Sequence, residues 1–547
     1  MFPWLNAAEI ARMRQFGEVR RYAKGERLFA AGQTAPGMFV VIQGGVTVSQ
    51  RDGLGHVVPI VRQRSGQFMA EVGTLTGRHA LVDGDADEDT EALLIPPEQL
   101  RALIIAEADL GERIMRALIL RRVGLIEAGA TGAVLIGRPD SPELLRLQGF
   151  LERNGQPHSV IDAANEPEAR ALVEQYGAGR NDMLVVCPDG SVLVNPGVEA
   201  LARALGMIDT HECNELVDVI IAGAGPAGLA TAVYAASEGL SVVVLDCRAY
   251  GGQAGASARI ENYLGFPTGI SGLALAGRAF VQAQKFGAEI LIPAKAASLD
   301  CSRAGHDGEL SVALSDGRKF RARTVVVASG ANYRRPNLAG LSDYEGRGVW
   351  FWATSMEARM CSKQQVALVG GGNSAGQAAV FLAPHVEHVH ILVRGDGLAA
   401  TMSTYLIDRL KATPNVTIHP HTEVTALIGD PQRGLEAIVW RERGTTGEER
   451  CDIRNVFLFI GADPETGWLQ GCGVETDARG FVLTGVANPF PARPTAELET
   501  SVPGVFAVGD VRSGSVKRVG SAIGEGAAVV AQIHRRLAQS ASERAGA

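Results

Sequence analysis

No C-x-x-C occurs anywhere in the 547 residues, so no local signature marks a redox dithiol. The seven cysteines (Cys187, Cys213, Cys247, Cys301, Cys361, Cys451 and Cys472) are scattered and odd in number. That excludes a disulfide framework and fits a reducing compartment. Long apolar runs are missing too: none approaches the roughly 18–20 residues of a membrane span. The opening MFPWLNAAEIARMRQF has no basic segment followed by an apolar core, unlike a secretory signal. Positive charge is in deficit, with a net charge of -8 and a pI near 5.9, which argues against nucleic acid as the main partner. The expectation is a cytoplasmic protein that meets neither membrane nor nucleic acid and carries no metal.

What is present is glycine, 66 residues of it, with 46% hydrophobic and 20% charged residues, the mix of Gly-rich α/β structure. The length suggests roughly three or four domains. The first 125 or so residues read as short strands split by turns (RLFAAGQ, MFVVIQGGVTVSQ, HVVPIVRQ, TEALLIP). A helical pattern precedes them, and a long one follows, PEQLRALIIAEADLGERIMRALILRRVGLIEA. This order, with the turn pattern KGERLFAAGQTAPGMFVVIQGGV, resembles the cyclic-nucleotide-binding domains, and residues 1–128 are assigned to it. The resemblance makes a cyclic nucleotide the candidate effector. In FMAEVGTLTGRHALV it sets Glu71 on a ribose hydroxyl and Arg78 on the cyclic phosphate, a pairing that suits a guanidinium fork. Ala70 replaces the family's usual Gly, and the acidic run DGDADEDTE that follows opposes an anion. No recognition helix follows, which excludes a DNA-binding regulator.

From residue 132 to about 208 the pattern becomes strand (AVLIG), helix (SPELLRLQGFLERNG), strand (HSVIDA), helix (EPEARALVEQYG), a hairpin turning at Asp189-Gly190, and a last helix. That order resembles a thioredoxin or glutaredoxin fold. Where the family carries C-x-x-C this chain has RPDS (138–141), and a Ser hydroxyl cannot replace a thiolate. An adaptor or docking role is expected.

ELVDVIIAGAGPAGLATAVYAASEGLSVVVLDC is the most specific stretch. A strand meets Gly223-x-Gly225-Pro226-Ala227-Gly228, then a helix, then a strand ending at Asp246. The first Gly permits a tight turn, the second lets backbone N–H groups approach a pyrophosphate, and the third lets helix pack on strand. Asp246 stands at the spacing for a ribose hydroxyl. GGQAGASARIENYLGFP then resembles the flavin segment of the thioredoxin reductases, with Gly252, Gln253 and Asn262 at matching positions. VVVASGA, carrying Gly330, and VPGVFAVGDVRSGSVKRVGSAIGEGAA resemble further motifs of that family. The resemblance implies FAD, with Gly509 and Asp510 on its chain and the region near Val519 on its ring. It assigns 215–332 and 460–547 to one FAD-binding domain.

Inserted within it, residues 333–459, is a second unit. VALVGGGNSAGQAAVFLA gives Gly370-x-Gly372-Asn373-Ser374-Ala375 between strand and helix, a second dinucleotide loop. The next strand, HVHILVRGDG, ends with Arg394 where an NADH site would carry an acid, which favours NADPH. The whole reads as a β-roll with flanking helices, a small thioredoxin-like α/β domain, and two nested Rossmann-like domains. Hydride would pass from NADPH to FAD. The hinge of the resemblance falls near 334–336 and 459–461, and relatives of this kind are commonly homodimers.

Aligned with the thioredoxin reductases on the second loop, VWFWATSMEA (349–358) sets Trp352 and Ser355 where they carry their redox cysteines, and Cys361 nearby is single. Electrons must then leave the flavin for something other than an internal dithiol. Three outlets stay open: an electron carrier of the ferredoxin or flavodoxin kind, a disulfide partner or oxidant reaching the flavin directly, or a sensor with little turnover. Trp350, Phe351 and Trp352 either shield the flavin or pack an interdomain core; the latter is favoured.

Overall fold

The computed structural model describes residues 3–51, 57–77, 79–128, 132–139, 141–176, 182–208, 215–303, 309–431, 433–445, 447–485 and 496–545. At the amino end, two four-stranded antiparallel sheets face one another. One has the order Glu18–Tyr22, Thr90–Ile95, Met38–Gln43, Phe68–Met69; the other runs Arg27–Phe29, Asp83–Ala86, Gly45–Arg51, Val57–Arg64. Apolar residues of both fill the space between them, where Phe29 stacks on Phe39 at 5.9 Å. The single strand expected over 38–50 is two, because Gly44 (φ 88°) turns the chain from one sheet to the other.

The long helix expected after this roll is also two, Pro97–Ala106 and Ala108–Ala128, broken at Glu107 (φ -114°, ψ 82°). The break brings Gly111 onto the first helix, where an added Cβ would stand 2.5 Å from Ile104 O. Arg12 holds Glu107 there at 2.6 Å.

The middle unit has a four-stranded sheet. Ala133–Gly137 is buried along its length, parallel to His158–Asp162 and antiparallel to Leu184–Val186, which forms a hairpin with Val192–Val194. Helices Pro142–Arg153, Pro167–Gln175 and Val198–Ala204 accompany it.

The second half holds two nested Rossmann-like units. The first sheet is parallel through Glu289–Leu291, Val242–Leu245, Leu216–Ala222, Lys319–Val327 and Val505–Ala507, with Leu310–Leu314 and Ala296–Asp300 added antiparallel. Its strands are near-continuous Val, Ile and Ala because both faces are covered. Helices Pro226–Ser237, Gly272–Lys285 and Val519–Ala545 lie on one face, and 467–482 with Val502 and Val511 cover the other. The second sheet is parallel in the order Val349–Trp350, Asn455–Leu458, Gln365–Val369, His388–Leu392, Val416–His419. The antiparallel strands Thr422–Asp430, Gly434–Glu442 and Glu448–Cys451 flank it. The chain crosses between the units twice, where Ala331–Tyr333 pairs with Ala462–Pro464. Among the described residues no helix is long and apolar enough to cross a membrane, and no three His, Cys, Asp or Glu side chains gather as a metal site.

Candidate functional site

The first glycine loop follows the strand Leu216–Ala222. Gly223 has φ 119° and touches the neighbouring strand end: a Cβ there would meet Ala328 O at 2.2 Å. A Cβ on Gly228 would fall 1.8 Å from Gly223 O, so helix and loop close only around glycine. Gly225 is different. Its φ of -72° suits any residue, and the nearest atom to an added Cβ is Gly252 Cα at 4.0 Å. Gly252 packs on Gly225, where an added Cβ would lie 3.1 Å from Gly225 Cα, so the two glycine backbones together form a side-chain-free cradle beside the first turn of Pro226–Ser237. No side chain caps that turn, and Pro226 takes the position where a missing N–H costs nothing. Free N–H groups and the helix dipole there favour an anion, so the residues fit a dinucleotide diphosphate.

Other expected residues gather around this cradle. Gln253 Nε2 donates to Ala331 O, and Gly509 packs on Ala227 while its N–H donates to Glu525 Oε2 at 2.6 Å. Asp510 is held above the usual carboxylate range by burial, against the pull of Lys517, whose Nζ donates to Asp510 O. Gly330 (φ 67°) has open space where a Cβ would project. Val519 begins the long last helix, and Asn262 is exposed. Asp246 does more than await a ribose. Its Oδ2 accepts from Ala224 N at 2.8 Å, and its Oδ1 from Arg248 N and Ala249 N at 2.9 and 3.1 Å. The carboxylate therefore splints the glycine loop to the following turn.

The second loop repeats the plan. Gly370 (φ 134°) lies against Phe459 O, 2.3 Å from an added Cβ, whereas Gly372 has nothing within 4 Å. The helix Asn373–Leu382 starts there without a side-chain cap, and a second diphosphate fits. Asn373, expected on the ligand, uses Oδ1 to accept from Ser403 N at 2.7 Å, and Thr401 Oγ1 donates to Gly371 O at 2.7 Å. Ser374 and Arg394 are exposed, Arg394 two residues past the end of its strand.

The aromatic segment between the loops packs the second unit's interior. Trp350 is 5% exposed and donates Nε1–H to Asn455 Oδ1 at 2.9 Å. Phe351 is buried beneath the Arg335 guanidinium. Trp352 Nε1 donates to Glu357 Oε1 at 3.1 Å, while Thr354 N and Oγ1 donate to Glu357 Oε2 at 2.8 and 2.5 Å. This is a capping box opening the helix Ser355–Met360. Cys361 is fully buried, and burial with Glu357 pushes its thiol up to about 12, which leaves it inert. On the sheet face opposite the Pro226–Ser237 helix, Cys472 Sγ donates to Leu469 O at 2.9 Å, and Cys301 packs against the same cluster.

In the amino-terminal roll, Ala70 takes the left-handed conformation (φ 66°) at the head of the helix Glu71–Thr76. Arg78 lies outside the described residues, as does the Glu71 side chain. The acidic run is not left bare. Arg27 pairs with Asp83 and Asp85, and Arg62 with Asp87 and Glu88. In the middle unit Ser141, in RPDS, caps the helix Pro142–Arg153 by accepting from Leu144 N at 3.1 Å.

One residue at the first cradle left no sign in the sequence. Arg153, at the end of that middle helix, donates from Nη2 to Gly252 O at 3.1 Å, and neighbouring Asn154 donates to Arg248 O at 2.9 Å.

Residues 217–526 match the family described as pyridine nucleotide-disulphide oxidoreductase, and 19–107 match the cyclic nucleotide-binding domain. The chain is 34% identical over 327 residues to NADPH-dependent thioredoxin reductase 3 of Arabidopsis thaliana, covering 58% of each. It is 33% identical over 404 residues to the F component of alkyl hydroperoxide reductase from Escherichia coli K12, covering 71% of this chain and 72% of that one. The crystal structure of Lactococcus lactis thioredoxin reductase in its FR conformation matches with a TM-score of 0.54 and 25% identity, over 59% of this chain and 99% of that one.

Proposed function

This chain belongs to the pyridine nucleotide-disulphide oxidoreductases, an NADPH-dependent FAD flavoprotein, and from that premise we propose that its electrons go directly from the flavin to an external acceptor, a small redox protein. The observation that carries this reading is the Trp352–Thr354–Glu357 hydrogen-bond cluster, which stands where the resemblance to thioredoxin reductases expects a dithiol. FAD, when bound, accepts hydride from NADPH and returns the electrons to an acceptor. The chain's own residues do the rest. Gly223, Gly225, Gly228 and Gly252, with Gln253, Gly330, Gly509, Asp510 and Val519, would line the FAD. Gly370, Gly372 and Ser374 would hold NADPH, with Arg394 on its 2′-phosphate. Asp246 and Asn373 shape the two loops from behind.

The domain partition we propose is 1–128, 132–208, 215–332 with 460–547, and 333–459. Residues 132–208 are read as a thioredoxin-like adaptor without a nucleophile. Their strand order supports this, as does the Escherichia coli relative, which aligns with more of this chain than residues 216–547 make up. The amino-terminal domain is read as regulatory: the cassette helix Glu71–Thr76 lies against the Gly272–Lys285 helix of the FAD-binding unit, a direct route from effector to flavin domain. A homodimer is proposed by the family resemblance.

The test is an acceptor panel. Purified full-length chain should be yellow, bleach with NADPH and reduce ferricyanide, yet leave DTNB and thioredoxin untouched. Cyclic AMP should change the rate, and Arg78→Ala should abolish that change. Thioredoxin turnover by the chain alone sinks the proposed outlet.

A further inference from the structure

The strand Val242–Leu245 ends where a dinucleotide's adenosine half would lie, beside Asp246. In this chain the middle unit closes over that end. A cavity of about 110 Å³ sits there, walled by Cys247, Pro293 and Lys295 from the FAD-binding unit and by Glu199 and Arg203 from the Val198–Ala204 helix. A few residues along, Arg153 reaches from the Pro142–Arg153 helix to Gly252 O, at the diphosphate cradle.

Arg153 is placed unusually for a structural cation. Among the described residues it forms no ion pair, and it donates to one neutral carbonyl. Asp246, an adjacent carboxylate, has given its oxygens to three backbone N–H groups. Arg248 adds a second positive charge nearby. Burial lowers the Arg153 pKa, Asp246 opposes that, and Arg248 reinforces it. The guanidinium is partly buried, and Asp246 attracts it without a direct ion pair, so its donors other than the one to Gly252 O are open to a further acceptor.

We propose that Arg153 is a diphosphate ligand of FAD, supplied by the middle unit, so that residues 133–208 act as a fixed cover on the cofactor. The inference rests on the flavoprotein reading above and adds to it a cofactor contact from outside the FAD-binding unit. The chemistry matches: a planar fork of donors meets two phosphate groups lying at the uncapped start of Pro226–Ser237. The cavity between the two units takes the adenosine end, and Arg153 stands at Gly252, beside the start of Pro226–Ser237.

The experiment uses full-length wild type, Arg153→Met and Arg153→Lys, stripped of flavin and titrated with FAD, ADP and adenosine. Loss of one charge-assisted bond to phosphate should weaken FAD and ADP about 10- to 100-fold in Arg153→Met. Adenosine, which has no phosphate, should bind all three proteins alike, and Arg153→Lys should fall between the others. Circular dichroism and the thermal midpoint, read on the same samples, report that the variants fold. A wild type that takes up no FAD overturns both readings. A wild type that binds FAD while Arg153→Met matches it overturns this inference alone, as does a variant that loses adenosine as heavily as ADP.

Discussion

Trp352 and Glu357 are joined by an indole N–H donated to a carboxylate that is 0% exposed. Thr354 adds two more donors to the same group. Buried, the carboxyl is held above its ordinary range by desolvation, and the three donors pull it back only in part. Removing it strands all three. Glu357→Ala should therefore cost about 2–3 kcal/mol, seen as a lower unfolding midpoint, with Glu357→Gln losing less than half of that. Equal losses in the two variants would show that the hydrogen bonds contribute little.

The two kinds of glycine at the first cradle separate folding from cofactor binding. Gly225→Ala meets no atom closer than 4.0 Å and needs no forbidden φ, so the chain should fold normally. Its new methyl would project into the cradle, and FAD affinity should drop about tenfold or more. Gly228→Ala drives a methyl to 1.8 Å from Gly223 O and should instead yield little folded protein. Measured flavin content against soluble yield distinguishes the cases. A yellow, well-folded Gly228→Ala protein would contradict the packing argument.

That contrast also explains what is legible in the sequence. The requirement at Gly228 is local, since its added Cβ would meet Gly223 O within the same strand–turn–helix unit, and the positive φ of Gly223 is a local demand of the turn, although Gly223 also abuts Ala328 on a distant strand. The capping box at Thr354-x-x-Glu357 is equally local, and the aromatics beside it, for which the sequence favours an interdomain core over a flavin contact, pack the interior of the second unit. Arg153 is another matter. It lies 99 residues from Gly252, and an arginine ending an amphipathic helix looks the same whether it faces water or a neighbouring domain. The break at Glu107 is hidden for a related reason, since the helical period runs through it and only the packing of Gly111 on Ile104 demands it. Asp246 stands out by its spacing, yet its three backbone donors belong to a turn that spacing does not describe.

Ala70 carries a strain that glycine would relieve. Its φ of 66° puts Cβ against its own carbonyl, at roughly 1–2 kcal/mol for an L-residue. Glycine gains more freedom on unfolding, which offsets part of that. Ala70→Gly should stabilise the amino-terminal roll by about 0.5–1 kcal/mol, read as a rise in the denaturant midpoint of its transition. A fall in the midpoint would mean that the methyl group packs to advantage.

His390 gives the second Rossmann-like unit a pH dependence whose sign follows from its surroundings. Its ring sits 4.6 Å from His388, 5.3 Å from His419 and 5.4 Å from Trp440, with Nδ1 3.1 Å from His419 Nε2 and Nε2 3.1 Å from Gln365 Oε1. Burial, then His388 and His419, lower its pKa to about 4, and Glu449 on the flanking hairpin opposes them weakly. The unfolded chain takes up a proton near pH 6.5, while the folded ring stays neutral until about 4. Stability from this group is thus full above 6.5 and is lost as pH falls toward 4. Because the ring is only half buried, the loss by pH 5 should be about 1 kcal/mol, or about 2–4 °C in the unit's midpoint. His390→Asn removes that slope: its midpoint should drop less than wild type's between pH 7 and pH 5. Equal drops in the two proteins would place the acid sensitivity elsewhere.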